Sequence, residues 1–170
     1  MKKAAVLVDD YYQVLEVWYP YLRLRESGIE TVLVGSEEKE YKSKEGYPAK
    51  AECAIRKVKA DDFDAVVIPG GWAPDILRRY PEINNFVRLM DEKRKIVAAI
   101  CHGGWVLISA GILKNKKVTG FSAIKDDLVN AGARYVDQEV VVEGNLITSR
   151  NPYDLPAFCA AIVKKLISDG

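Results

Sequence analysis

Short runs of uninterrupted apolar residues alternate along the chain with segments whose apolar positions recur every three or four residues. A run apolar at every position suits a strand buried on both faces, and a period near 3.6 suits a helix that buries one side. "KAAVLV" (3–8) reads as the first buried strand, and "QVLEVWYPYLRLRESG" (13–28) as an amphipathic helix closed by Gly28. "IETVLVG" (29–35) is a second strand, and residues 40–60 form an irregular hairpin, since "YPAKAECAIRKV" alternates and lacks helix caps. "FDAVVIPGG" (63–71) is a third strand ending in a tight turn. It is followed by the short segment "APDILRRY" (73–80) and a helix opening at Pro81.

"KIVAAI" (95–100) is the fourth core strand, and "GGWVLISAG" (103–111) is a helix stopped by Gly111. After "KVTGF" and the helix "AIKDDLVNAG" (123–132), "EVVVEGNLITS" (139–149) reads as a hairpin pivoting on Glu143-Gly144-Asn145. A last helix starts near Pro152. Buried strands separated by helices imply an α/β fold: a flavodoxin-like three-layer sandwich around a mostly parallel sheet. The 170 residues are expected to form one domain, with no repeat or linker. Sites in such sheets form beyond the carboxyl ends of the strands, where strand order reverses. Three turns are candidates: Asp9-Asp10 to Gln13, Pro69-Gly70-Gly71, and Cys101-His102-Gly103.

Charge narrows the partners. Twenty-five basic residues are mixed among 24 acidic ones, for a net charge of +1, so nothing marks a nucleic-acid or acidic-membrane surface. The densest charged patch, "KEYKSKEGYPAK", reads as a solvated hairpin. No apolar stretch approaches the roughly 18 residues that span a bilayer, and the N-terminal apolar segment is too short for a secretory signal. Three widely spaced cysteines, Cys53, Cys101 and Cys159, suggest free thiols in a reducing, cytoplasmic setting. One histidine and no paired cysteines give no zinc pattern, and no phosphate-binding glycine motif occurs, so no metal or cofactor is expected.

"AICHG" (99–103) has the form of a nucleophile elbow, a thiol flanked by small residues between a strand and a helix. The sharp turn lifts Cys101 above the sheet edge. The following helix then aims its free N–H groups at the sulfur, which predicts a thiol pKa below the ordinary value of about 8.5. His102 is adjacent in sequence, which by itself does not pair it with the sulfur. Pro69-Gly70-Gly71 exposes backbone N–H groups that could form an oxyanion hole. Asp75 could orient an imidazole, cap the short helix that follows, or do neither.

The stretches "FDAVVIPGGWAPD", "AAICHGGWVLISAGIL", "AIKDDLVNAGA" and "EVVVEGNLITSRNPYDLPAF" together resemble the ThiJ/PfpI superfamily, nearest its intracellular protease (PfpI) branch. The resemblance implies a flavodoxin-like subunit that forms a homodimer and often a hexamer. It implies Cys101 as nucleophile, His102 as its imidazole, and the amides of Gly71 and His102 as oxyanion hole. Gly70 and Gly103 shape the turns, and Asp75 approaches His102 from a neighbouring subunit.

The chain departs from the family pattern at several positions. Aligned on the family, Gln13 falls where a glutamate normally supports the nucleophile, and Glu16 is expected to face elsewhere. A glutamine can donate to a thiolate but cannot titrate. Trp72, Gly104 and Phe121 also depart from the usual residues. The family implies three activities: a deglycase or glyoxalase acting on small aldehydes and their adducts, a cysteine peptidase, or a non-enzymatic stress protein that senses peroxide through Cys101. The hydrolase readings come first.

Overall fold

The computed structural model describes residues 1–168. In chain order the elements begin with β1 (Lys3–Val8), α1 (Val14–Glu26), β2 (Glu30–Gly35), β3 (Glu40–Lys42), β4 (Pro48–Lys50), β5 (Cys53–Ala54) and β6 (Ala65–Ile68). Next come α2 (Ala73–Leu77), α3 (Pro81–Glu92), β7 (Ile96–Ile100), α4 (Gly104–Ala110) and β8 (Lys117–Val118). The chain closes with α5 (Lys125–Asn130), β9 (Arg134–Tyr135), β10 (Val141–Glu143), β11 (Leu146–Ser149) and α6 (Leu155–Ser168).

Seven strands form the central sheet in the order β10-β11-β7-β6-β1-β2-β5. Every pairing in it is parallel except β10 with β11 at one edge. The central strands β6 and β7, and β1 after Lys3, are apolar at every position because both faces are covered. α1 and α6 pack together on β1, β2, β7 and β11, while α3 and α4 pack on each other and on β7. This is the flavodoxin-like sandwich expected from the sequence. Residues 40–60 divide as the alternation suggested: β3 and β4 make a small antiparallel hairpin off the sheet, and β5 rejoins it beside β2. The β10–β11 hairpin turns at Gly144, whose φ is +62°. Asn145 pins that turn by donating to Asp91 Oδ1 at 3.0 Å and to the Lys95 carbonyl at 2.9 Å.

The strand order positions the site. From β1 the chain moves one way to β2 and β5, then returns to place β6 on the other side of β1. Strand direction of travel therefore reverses beside β1, and the carboxyl ends of β1, β6 and β7 open onto one crevice. Leu7, next to last in β1, is fully buried. Replacing Leu7 with alanine removes buried surface and leaves a void, at a cost of about 3 kcal/mol. Urea unfolding should show a lower midpoint at unchanged slope. An unchanged midpoint would place Leu7 outside the cooperative core.

Candidate active site

The three turns suspected from sequence do meet. Residues 11–13 leave β1 and lace against the turn after β6. The Trp72 amide donates to the Tyr11 carbonyl at 2.8 Å, the Gln13 amide donates to the Gly70 carbonyl at 3.3 Å, and Tyr12 bridges Gly71. Gly71 holds φ at +72°, and a Cβ there would lie 2.5 Å from the Gln13 nitrogen, so no other residue fits without displacing backbone.

Cys101 follows β7 with φ at +59°, a left-handed conformation that costs a non-glycine residue on the order of 1–3 kcal/mol. The turn is held from outside, since the Phe121 amide donates to the Cys101 carbonyl at 3.2 Å. Gly103 sits where a Cβ would come within 2.7 Å of the Ile68 carbonyl, which lets the elbow lie flat on the end of β6. The sulfur belongs to a residue only 8% exposed, and the backbone amides of His102 and Gly71 both hydrogen-bond it.

The supporting acid differs from the sequence expectation. Gln13 is the N-cap of α1: its Oε1 accepts from the Glu16 amide at 3.0 Å, so the side chain is turned onto its own helix. Gln13 lines the cavity but does not hold the sulfur. Glu16 does, three residues on, with no exposed surface. Its Oε2 accepts from the Gly70 amide at 2.7 Å, and its carboxyl lies against the Cys101 side chain. Its Oε1 is buried without a hydrogen bond of ordinary geometry. Gly70 is the spacer, because a Cβ there would fall 2.5 Å from Glu16 Oε2 and 2.7 Å from Cys101 Cβ.

These contacts set the charges. Burial pushes the Glu16 carboxyl up to about 7, against the pull of the Gly70 amide and the Cys101 side chain. Burial, and after it the Glu16 charge, push the Cys101 thiol up to about 12, although the His102 and Gly71 amides pull it down. The thiolate expected from the helix N-terminus is thus outweighed by desolvation and a neighbouring carboxylate. Glu16 is the group that titrates near neutrality.

His102 Nδ1 is 3.3 Å from the sulfur. Its ring stacks on Phe121 at 4.9 Å and meets Trp105 edge-on at 5.1 Å. Burial lowers its pKa below the ordinary imidazole value, opposed by Asp127, which favours the neutral ring. Within one chain Asp75 lies on α2 and is paired with Arg79 rather than with His102. The carboxylate whose charge reaches His102 is Asp127, which also accepts from Trp105 Nε1 at 2.9 Å and which the sequence reading passed over.

The sulfur opens onto a cavity of about 320 Å³, walled by Trp72, Phe121, Pro152 and His102, with Glu16 and Lys44 among its polar lining. Lys44, from the β3–β4 hairpin, was likewise not singled out in the sequence. Among the described residues no group of three His, Cys, Asp or Glu side chains is placed to hold a metal ion, and no helix is long and apolar enough to cross a membrane.

Residues 2–165 match the DJ-1/PfpI family. A putative cysteine protease, YraA of Bacillus subtilis, is 46% identical over 158 residues, covering 92% of this chain and 94% of the relative. Deglycase PH1704 of Pyrococcus horikoshii is 42% identical over 164 residues, covering 96% and 99%. A solved two-domain protein of Anabaena variabilis, with DJ-1/ThiJ/PfpI-like and ferritin-like domains, superposes with a TM-score of 0.96 at 45% identity. The match takes in 98% of this chain and spans about half, 48%, of that one.

Glu16 binds its proton more tightly folded, near 7, than at its ordinary value of 4.5. Its contribution to stability is therefore full below pH 4.5 and is lost as pH rises towards 7. Glu16→Gln removes the buried charge. Above pH 7 it should stabilise the fold by about 3 kcal/mol, following the size of the shift, and the gain should vanish at acid pH. Thermal melts across this range check it, and a variant destabilised equally at every pH would contradict it.

Proposed function

This chain belongs to the DJ-1/PfpI family, and on that premise we propose that it is a cysteine-dependent hydrolase whose Cys101 sulfur attacks small α-oxoaldehydes or their adducts. The observation that carries this reading is the Glu16 carboxyl buried against Cys101 in a small, mainly apolar cavity. With Glu16 near 7 and the thiol near 12, the resting pair at neutral pH is a thiol beside a carboxyl that is about half ionised. In the ionised half, Glu16 is the general base that takes the thiol proton as sulfur adds to the aldehyde carbon.

The carbonyl oxygen then carries the charge, and the Gly71 and His102 amides that aim at the sulfur are the donors nearest to it. Protonation of that oxygen gives a hemithioacetal. With methylglyoxal, the hydrogen on the sulfur-bearing carbon leaves as a proton and returns on the neighbouring carbon, through an enediol. A carboxyl with a pKa near 7 suits both transfers. The product is a lactoyl thioester, which water cleaves to lactate and the free thiol. The sum is methylglyoxal plus water giving lactic acid; an amine or thiol adduct releases its amine or thiol as well.

The size and apolar walls of the cavity favour small substrates over a polypeptide, which weighs against the peptidase reading suggested by the protease-named relative. A thiol held near 12 also weighs against a peroxide sensor, because the thiolate is the species oxidised. On this reading, assembly into a homodimer or hexamer brings Asp75 of a second copy to His102. A cytoplasmic setting keeps the three free cysteines reduced.

Lactate formed from methylglyoxal should be undetectable with Cys101→Ser and reduced by about 10²–10⁴-fold with Glu16→Gln. For the unaltered protein kcat/KM should rise with pH through a midpoint near 7, as Glu16 ionises. Turnover that survives loss of Cys101 would overturn the assignment.

A further inference from the structure

Lys44 stands at the tip of the β3–β4 hairpin, yet it lines the cavity that holds the sulfur. The loop presenting it is closed by its own hydrogen bonds. Ser43 Oγ accepts from the amides of Glu45 and Tyr47 at 3.1 and 2.9 Å, and the Lys44 amide donates to the Tyr12 carbonyl at 2.9 Å. The Tyr12 hydroxyl donates to the Tyr47 carbonyl at 2.6 Å, fixing the far side of the tip to the segment that enters α1. The hairpin tip is thus tied to the same backbone that positions Glu16.

The ammonium lies 3.0 Å from Glu45 Oε1, and the other oxygen of Glu45 accepts from the Val14 amide at 3.3 Å. That carboxylate is anchored on the start of α1 and is not part of the cavity lining. An ammonium has three donors, and Glu45 takes one, leaving donors for a ligand. Among the described lining residues Lys44 is the one lysine or arginine. Its charge also acts on Glu16, favouring the ionised carboxyl. A cavity lined by a nucleophilic sulfur, apolar walls and a lysine suits a ligand with a reactive carbonyl and a separate anionic group.

We propose that Lys44 is a specificity-determining residue which binds the carboxylate of aldehyde adducts carrying one, as adducts of free amino acids do, while the reacting carbon rests on Cys101. The inference builds on the reading of Cys101 as the attacking sulfur. Lys44 orients the substrate and neither gives nor takes a proton.

The test compares two alkylating reagents that differ in charge, iodoacetate and iodoacetamide. In both reactions the Cys101 sulfur displaces iodide and forms one S–C bond. Rate constants for Cys101 alone, followed by peptide mass, give an iodoacetate-to-iodoacetamide ratio that cancels changes in the thiol's own ionisation. The ammonium is partly solvated, so Lys44→Met should lower this ratio about fivefold, and Lys44→Arg should recover it. A ratio unaltered by Lys44→Met, or one that Lys44→Arg fails to recover, would overturn the proposal. The outcome is separable from the catalytic reading: a Cys101→Ser protein as active on methylglyoxal as the unaltered one would sink that reading, while the alkylation ratio would still report on Lys44.

Discussion

A carboxyl with no exposed surface pressed against a buried thiol is the interaction on which the site depends. Two acids this close in a poorly solvated pocket cannot both ionise cheaply, so the first proton lost suppresses the second. The Gly70 amide, donating to the carboxyl, favours its ionisation, while burial and the carboxylate beside it favour the protonated sulfur. In the proposed mechanism the pair serves as a base and a nucleophile in sequence, not as a standing thiolate.

Holding these groups together has structural costs spread over three strand ends. Cys101 and Gly71 sit in left-handed backbone, and both Gly71 and Gly70 occupy gaps too narrow for a Cβ. Each is locked by a partner segment: residues 11–13 against 70–72, and Phe121 on the Cys101 carbonyl. The reversal of strand order beside β1 is what makes the three ends neighbours. The apolar strands behind them supply the rigidity that keeps the strained residues in place.

The layers, the nearly all-parallel sheet and the elbow were legible because they rest on local signals: uninterrupted apolar runs, glycines at turns, and a thiol where strand meets helix. The acid was misplaced for an identifiable reason. Gln13 and Glu16 both precede the buried stripe of Val17, Pro20 and Leu24, and alignment by family pattern put the support at the first. Helical phase argues for the second. Gln13 lies outside the helix as its cap, whereas Glu16 is one turn before Pro20 and two before Leu24 on the buried face. An acid on an apolar stripe just inside a helix start was the available signal. The raised thiol pKa was beyond reach of sequence, because it depends on how deeply the elbow is buried and on which carboxylate comes beside it. Lys44 and Asp127 arrive from segments distant in sequence, and only the tertiary fold brings them to the cavity and the imidazole.

The ionisation order of the pair is the claim from which the chemistry follows, and infrared difference spectroscopy during a pH titration reads both members at once. The Cys101 S–H stretch, identified by its loss in Cys101→Ser, should persist well above neutral pH. The protonated-carboxyl band of Glu16, identified by its loss in Glu16→Gln, should disappear with a midpoint near 7. An S–H band that vanishes at or below neutrality while the carboxyl stays protonated would contradict the account, and would mean that the sulfur is the stronger acid of the pair.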